Sequence, residues 1–222
     1  LKKPIDIVFI GTGNVASHIA DSFRELSSVR IVQMFNHSNN KRSKDLAKQH
    51  HCPLITDYKK INNSAHLYII AVKDDVINEV VSELIPLHLN GLVIHTSGSI
   101  DINILSKVGK NYGVYYPLQS FYPNAKINWK NTPLLIEASN KTALSILKQL
   151  AIGVSKNVKT LNSEERLKLH LAAVFACNFT NALYVSAFEI VESFLNKKGT
   201  QLLMPIMQDS FKKLEIVHPR LA

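Results

Sequence analysis

Most of the chain alternates between two hydrophobic rhythms. Short, nearly unbroken apolar runs are followed by longer stretches in which apolar positions recur every three or four residues. Residues 5–10 (IDIVFI), 29–35 (VRIVQMF), 66–72 (HLYIIAV), 91–96 (GLVIHT) and 112–116 read as strands, with a weaker one at 53–55. Helical periodicity fills 14–26, 41–50 and 75–85, and Pro86 closes the last of these. Apolar runs without polar alternation belong to strands covered on both faces, and the helices between them make the crossovers of a parallel sheet. Right-handed crossovers then predict a doubly wound, Rossmann-type α/β fold with a mostly parallel sheet. Two further strands, 134–138 and 157–161, flank a helix over 140–151.

Beyond these strands the pattern becomes purely helical. Asn162 followed three residues later by Glu165 is a capping-box arrangement, and the helix it opens is expected to run to Lys198, just before Gly199. Residues 169–188 carry no formal charge but include His170, Asn178, Thr180, Asn181, Tyr184 and Ser186. That set is too polar for lipid on all sides, so the stretch reads as a helix buried on most faces inside protein. The domain boundary is placed near residue 158, with a dinucleotide-binding domain over 1–158 and a small all-helical domain over 159–222. A helical domain this small cannot bury so much apolar surface alone, which predicts a homodimer through the C-terminal helices.

Composition narrows the class. The chain has 222 residues, 46% hydrophobic and 19% charged, enough for a packed core and incompatible with an intrinsically disordered chain. Cys52 and Cys177 cannot build a disulfide framework or a four-ligand zinc site, so no metal is expected. Free thiols suit a reducing compartment, and the apolar run at 5–10 is too short for a signal peptide, so the expected location is the cytoplasm. The net charge of +9 suits an anionic partner. The charge alone does not choose among nucleic acid, a membrane surface and a phosphorylated small molecule. Because the basic residues are scattered and no nucleic-acid-binding motif accompanies them, a small-molecule substrate is expected and neither nucleic acid nor membrane, with a nucleic-acid binder as the rival.

Gly11-Thr12-Gly13-Asn14-Val15-Ala16 follows the first strand and opens the first helix. In that context the pattern is a phosphate-binding turn. Gly11 permits the tight turn, Gly13 lets backbone approach a pyrophosphate, and Ala16 keeps helix and strand close, with Asn14 and Val15 at the helix start. The plainer alternative is a glycine turn without a ligand. At the end of the second strand, NAD-specific sheets place a carboxylate. This chain has Asn36, His37, Ser38 and then Lys41 and Arg42, so a 2′-phosphate on Ser38, Lys41 or Arg42 is expected and NADP is favoured over NAD, the alternative being a solvated helix start. By the same topology Ala71, Val72, Lys73 and Thr96 border the cofactor. His95 is either an acid–base group or a structural histidine, and Ser97 and Ser99 are either substrate contacts or turn residues.

At 100° per residue, Asn181 falls about 20° and Asn178 about 80° from His170, so three polar side chains share one face of an apolar helix. Their partners are either a ligand or another helix. Residues 11–16, AVKDDVI (71–77), HTSGS (95–99) and the long helix together resemble the pyrroline-5-carboxylate reductase and 6-phosphogluconate dehydrogenase superfamily. HTSGS, YPLQSF (116–121) and LHLAAVFACNFTNALY (169–184) are similar, more closely, to an uncharacterised bacterial family. That family joins a Rossmann-like NADP-binding domain to a helical domain of unknown function. The resemblance implies an NADP-dependent oxidoreductase, and hydride transfer between NADP and a small C=O or C=N substrate is expected, with His170 as acid–base group, Asn178 orienting the substrate and Ser97 beside the reacting carbonyl. It also implies a chain continuing past Ala222. Val174 stands where the β-hydroxyacid dehydrogenase branch has a lysine, and a non-catalytic NADP-binding sensor is the rival reading.

Overall fold

The computed structural model describes residues 4–221. Eight strands form one sheet in the order β3-β2-β1-β4-β5-β6-β7-β8. They are β1 (Ile5–Ile10), β2 (Val29–Phe35), β3 (Leu54–Ile55), β4 (Leu67–Ile70), β5 (Leu92–His95), β6 (Tyr112–Pro117), β7 (Leu134–Ala138) and β8 (Val158–Thr160). All neighbouring pairs are parallel except β6–β7. The helices of this part are α1 (Asn14–Phe23), α2 (Lys41–Gln49), α3 (Ile77–Leu84) and α4 (Lys141–Val154). The doubly wound, mostly parallel sheet expected from the apolar runs is what the chain forms.

The reason lies in the two faces of β1. Ile7 and Phe9 join Ile19, Phe23, Leu147 and Leu150 in one core layer, while Val8 and Ile10 join Tyr68, Val80, Leu84 and Leu105 in the other. Ile7, Val8, Phe9 and Ile10 are all 0% exposed, so successive side chains are buried in opposite directions. β1 lies between β2 and β4, where the strand order reverses. Ligands of such sheets sit over the carboxyl ends of the strands at that point.

Contacts divide the chain into two compact units, 1–170 and 171–222. The division falls beyond the sequence-based boundary near residue 158 because the first turns of the next helix, α5 (Ser163–Ala173), are tied to the sheet. Asn162 and Glu165 exchange the two capping-box hydrogen bonds, each 2.9 Å. Arg166, 1% exposed, pairs with Glu137 of β7 and donates to the carbonyl of Ile100. Ser163 donates to the same Glu137 carboxylate from Oγ (2.8 Å) and from its N–H (3.0 Å).

Within the second unit, a π-helical turn (Val174–Phe179) leads into α6 (Thr180–Glu192), and α7 (Met204–Ile216) follows a 3₁₀ segment. The long helix stops at Glu192 rather than Lys198, because the Asn196 side chain accepts from Lys198 N–H and caps a new element. Burial on most faces is also not what the chain shows. Phe175, Leu183, Ile190, Phe194, Ile206 and Phe211 are each 60% exposed or more. The helix spanning Ser163–Glu192 is long and apolar enough to cross a membrane, with none of its apolar window buried in this chain.

Candidate functional site

The glycine turn shows what a ligand can occupy. Gly11 has φ +104°, and a Cβ there would lie 2.3 Å from the carbonyl oxygen of Ala71. The turn therefore passes against the end of β4 where no side chain fits. Gly13 is the opposite case: a Cβ would meet nothing within 4 Å, and no side chain caps α1. The space beside Gly13 is thus open and no side chain caps the start of α1, the arrangement that accepts a phosphate. Ala16, fully buried, lets α1 close on the sheet, and Val15 packs half-buried against the core.

The end of β2 is tied to this turn by side chains. Thr12 Oγ1 lies 2.8 Å from Ser43 Oγ, Ser43 donates to Asn40 Oδ1 from its N–H (2.9 Å) and its hydroxyl (3.0 Å), and Asn40 caps α2. Ser38 Oγ accepts from Asn36 Nδ2 (3.1 Å) and Asn40 Nδ2 (3.0 Å), which leaves its own proton free to donate. Lys41 is exposed, and Arg42 donates to Asn14 Oδ1 beside the glycine turn. Asn36, His37, Val72 and Gly11 line one cleft of about 300 Å³ with Phe35, Tyr58 and Glu79. A dinucleotide fits these residues: an open cradle at Gly13, a cleft at the β1–β4 switch, and donors rather than carboxylates after β2.

Farther along the carboxyl edge, Ala71 and Thr96 are buried, and Lys73 is exposed beside them. Ser97 has no free hydroxyl valence. It donates to Asp74 Oδ2 (2.8 Å) and accepts from the N–H groups of Ser99 and Ile100, both at 3.1 Å. Ser99 donates to the same carboxylate oxygen at 2.6 Å. His95 is 0% exposed, accepts from Ser97 N–H at Nδ1 (3.2 Å), and has its pKa lowered to about 4 by burial, with Arg166 nearby. It is a neutral structural histidine at the end of β5.

The reactive-looking pair is Tyr116 and His170. Tyr116 Oη lies 2.8 Å from His170 Nδ1, with the rings edge to face at 5.7 Å. Burial, with the Asp74 carboxylate acting in the same direction, pushes the Tyr116 pKa up to about 12. A protonated phenol donates to Nδ1 and leaves the imidazole proton on Nε2; when the ring is charged, the phenol rotates and accepts instead. Gly98 makes room for the pair, since a Cβ there would lie 2.7 Å from both His170 Nδ1 and Tyr116 Cζ. Asn178 lies in the second unit, inside the π-helical turn. That turn breaks the 100° step used to place Asn178 and Asn181 on the face of His170. Sequence reasoning missed Tyr116, Asp74 and Arg166; the one available signal was a hydroxyl and a carboxylate placed at strand ends along the carboxyl edge.

Comparison with known proteins agrees with this geometry. A family model described as "NADP oxidoreductase coenzyme F420-dependent" matches residues 6–98, and a domain of unknown function, DUF2520, matches residues 132–222. The second match begins ahead of β7, inside the sheet. The crystal structure of a "putative NADP oxidoreductase" from Bacteroides fragilis is 32% identical, with a TM-score of 0.87 over 98% of this chain and 83% of that one. Pyrroline-5-carboxylate reductase from Streptococcus pyogenes (16% identity, TM-score 0.65, 96% and 80% covered) shares the fold. So does pyrroline carboxylate reductase from Plasmodium falciparum with NADP bound (12%, 0.65, 96% and 80%). No curated protein matches.

Proposed function

As this chain belongs to the NADP oxidoreductase family that includes the Bacteroides fragilis protein, we propose that it transfers hydride between NADP and a small C=O or C=N group. The observation that carries the reading is the donor-rich segment 36–42 that follows β2, which itself holds no carboxylate, beside the Gly13 cradle. Ser38 offers its proton, Lys41 its charge, and the capped start of α2 its dipole to a 2′-phosphate. Backbone N–H groups after Gly13 hold the pyrophosphate.

Bound NADP supplies the hydride chemistry. The chain supplies the proton: His170 is the acid–base group, and Tyr116 holds its ring in both protonation states through one hydrogen bond. Ser97, with Asp74 and Ser99, shapes the loop next to that pair. Asn178 is assigned as substrate-orienting donor on its place in the helix motif. A chain of this fold acts in the cytoplasm in this reading, as a homodimer whose second copy covers the exposed apolar side chains of the C-terminal helices. NADPH absorbance followed over a panel of small keto acids and imines tests the reaction, with calorimetry testing the cofactor. Val174, standing where the β-hydroxyacid dehydrogenase branch has a lysine, favours the second reading, an NADP-binding sensor. Tight NADPH binding without turnover on any panel member selects it.

A further inference from the structure

The glycine turn, α2 and the connection from β6 to β7 meet at one side chain. Asn14, the first residue of α1, donates from Nδ2 to the carbonyl of Phe121 (3.1 Å) and accepts at Oδ1 from Arg42. One turn on, His18 Nε2 lies 3.0 Å from the carbonyl of Tyr122, and its ring lies 5.3 Å from that of Phe121. Phe121 packs in turn on Trp129, the chain's single tryptophan, at 5.9 Å. Residues 118–131 thus form a strap across the start of α1.

Arg42 was expected at the 2′-phosphate, next to Ser38 and Lys41. Its hydrogen bond goes instead to the residue that follows Gly13, while Ser38 is served by Asn36 and Asn40. A guanidinium whose partner is a neutral amide keeps its full charge for an arriving phosphate. The open space over Gly13 is where a dinucleotide's pyrophosphate belongs.

We propose that Asn14 is a positioning residue that aims Arg42 at the pyrophosphate common to NADP and NAD, and that binds the strap into the same grip. Discrimination of the 2′-phosphate then rests on Ser38 and Lys41. This inference rests on the NADP reading above.

Calorimetry of the full chain with NADPH and with NADH tests it, with circular dichroism confirming that each variant folds. Arg42→Ala is expected to weaken both nucleotides by about ten- to hundredfold and to leave their affinity ratio as in the parent. Lys41→Ala weakens NADPH alone. Asn14→Ala weakens both, and adding Arg42→Ala to it costs little more, because the two residues act as one unit. Asn14→Ala also loosens the strap, read as increased acrylamide quenching of Trp129. An Arg42→Ala chain that loses NADPH but keeps NADH overturns the proposal, as does unchanged Trp129 quenching in a folded Asn14→Ala chain. If Asn14→Ala does not fold, the affinity ratio in Arg42→Ala decides alone. A parent chain that binds neither nucleotide sinks the NADP reading as well, which distinguishes the two failures.

Discussion

Tyr116 Oη stands 2.8 Å from His170 Nδ1, joining the end of β6 to the second turn of α5 across 54 residues of sequence. A hydroxyl that both donates and accepts keeps the imidazole in one orientation whether the ring is neutral or charged. A proton donor used for catalysis must be held in this way.

His170→Ala is expected to lower turnover by roughly 10²–10⁴ with NADPH affinity retained. Tyr116→Phe lowers it less and raises KM, because the acid–base group remains but its orientation is no longer held. Gly98→Ala removes no functional group, yet it should mimic Tyr116→Phe, since its methyl falls 2.7 Å from both partners. NADPH-linked turnover on any accepted panel substrate, with calorimetry alongside, measures all three. A fully active Gly98→Ala chain would count against the pair.

Cofactor choice follows from the end of β2. NADPH is expected to bind at least about tenfold more tightly than NADH, given charge-assisted contacts of roughly 1.5–3 kcal/mol each. Ser38→Ala with Lys41→Ala should erase the difference and spare NADH. Equal affinities in the parent chain, measured by calorimetry, would end this expectation.

His95 makes stability depend on pH. Its folded pKa of about 4 lies below the ordinary 6.5, so the folded state binds the proton less readily than the unfolded one. Its contribution is zero above pH 6.5, where the ring is neutral in both states. As pH falls from 6.5 to 4 the folded state loses up to about 3 kcal/mol. Urea midpoints at pH 7 and pH 5 should therefore draw closer together in His95→Gln than in the parent.

Arg166 and Glu137 are a buried ion pair, with side chains 1% and 15% exposed. Removing either partner alone leaves an uncompensated charge, which costs about 3–5 kcal/mol. Arg166→Ala should lower the urea midpoint sharply, and Lys at this position should rescue little, because the guanidinium reaches Glu137, Ile100 and Ser163 together.

Light scattering is expected to return twice the 24.9 kDa mass of one chain. Val185 is 55% exposed within the chain, so Val185→Asp should leave the fold intact and yield a monomer. A parent chain that is monomeric at micromolar concentration would remove the second copy from the reading.

The sheet was legible because strands covered on both faces must be apolar at every position, as Ile7 to Ile10 are. The glycine turn was legible because its spacing sits between a strand and a helix. Arg166 was not, since Glu164, Glu165, Arg166 and Lys168 together look like a solvated helix start, and only the tertiary fold brings Glu137 beneath one of them. Tyr116 was hidden for a related reason: its partner comes from an element far along the chain. The π-helical turn at Val174–Phe179 leaves no mark on a helical wheel, so arithmetic at a constant 100° failed there. The exposed apolar helices show the limit of counting hydrophobic residues, which reports that a face is apolar and not which molecule covers it.

The clamp of Ser163 and Arg166 on Glu137 bears on modularity. A cassette ending near residue 158 would carry Glu137 without its cation and the Ile100 carbonyl without its donor. One ending after His170 would keep both. A seam at residue 158 therefore cuts through the clamp, whereas one inside the long helix, after His170, leaves the first turns of α5 with the sheet they are tied to.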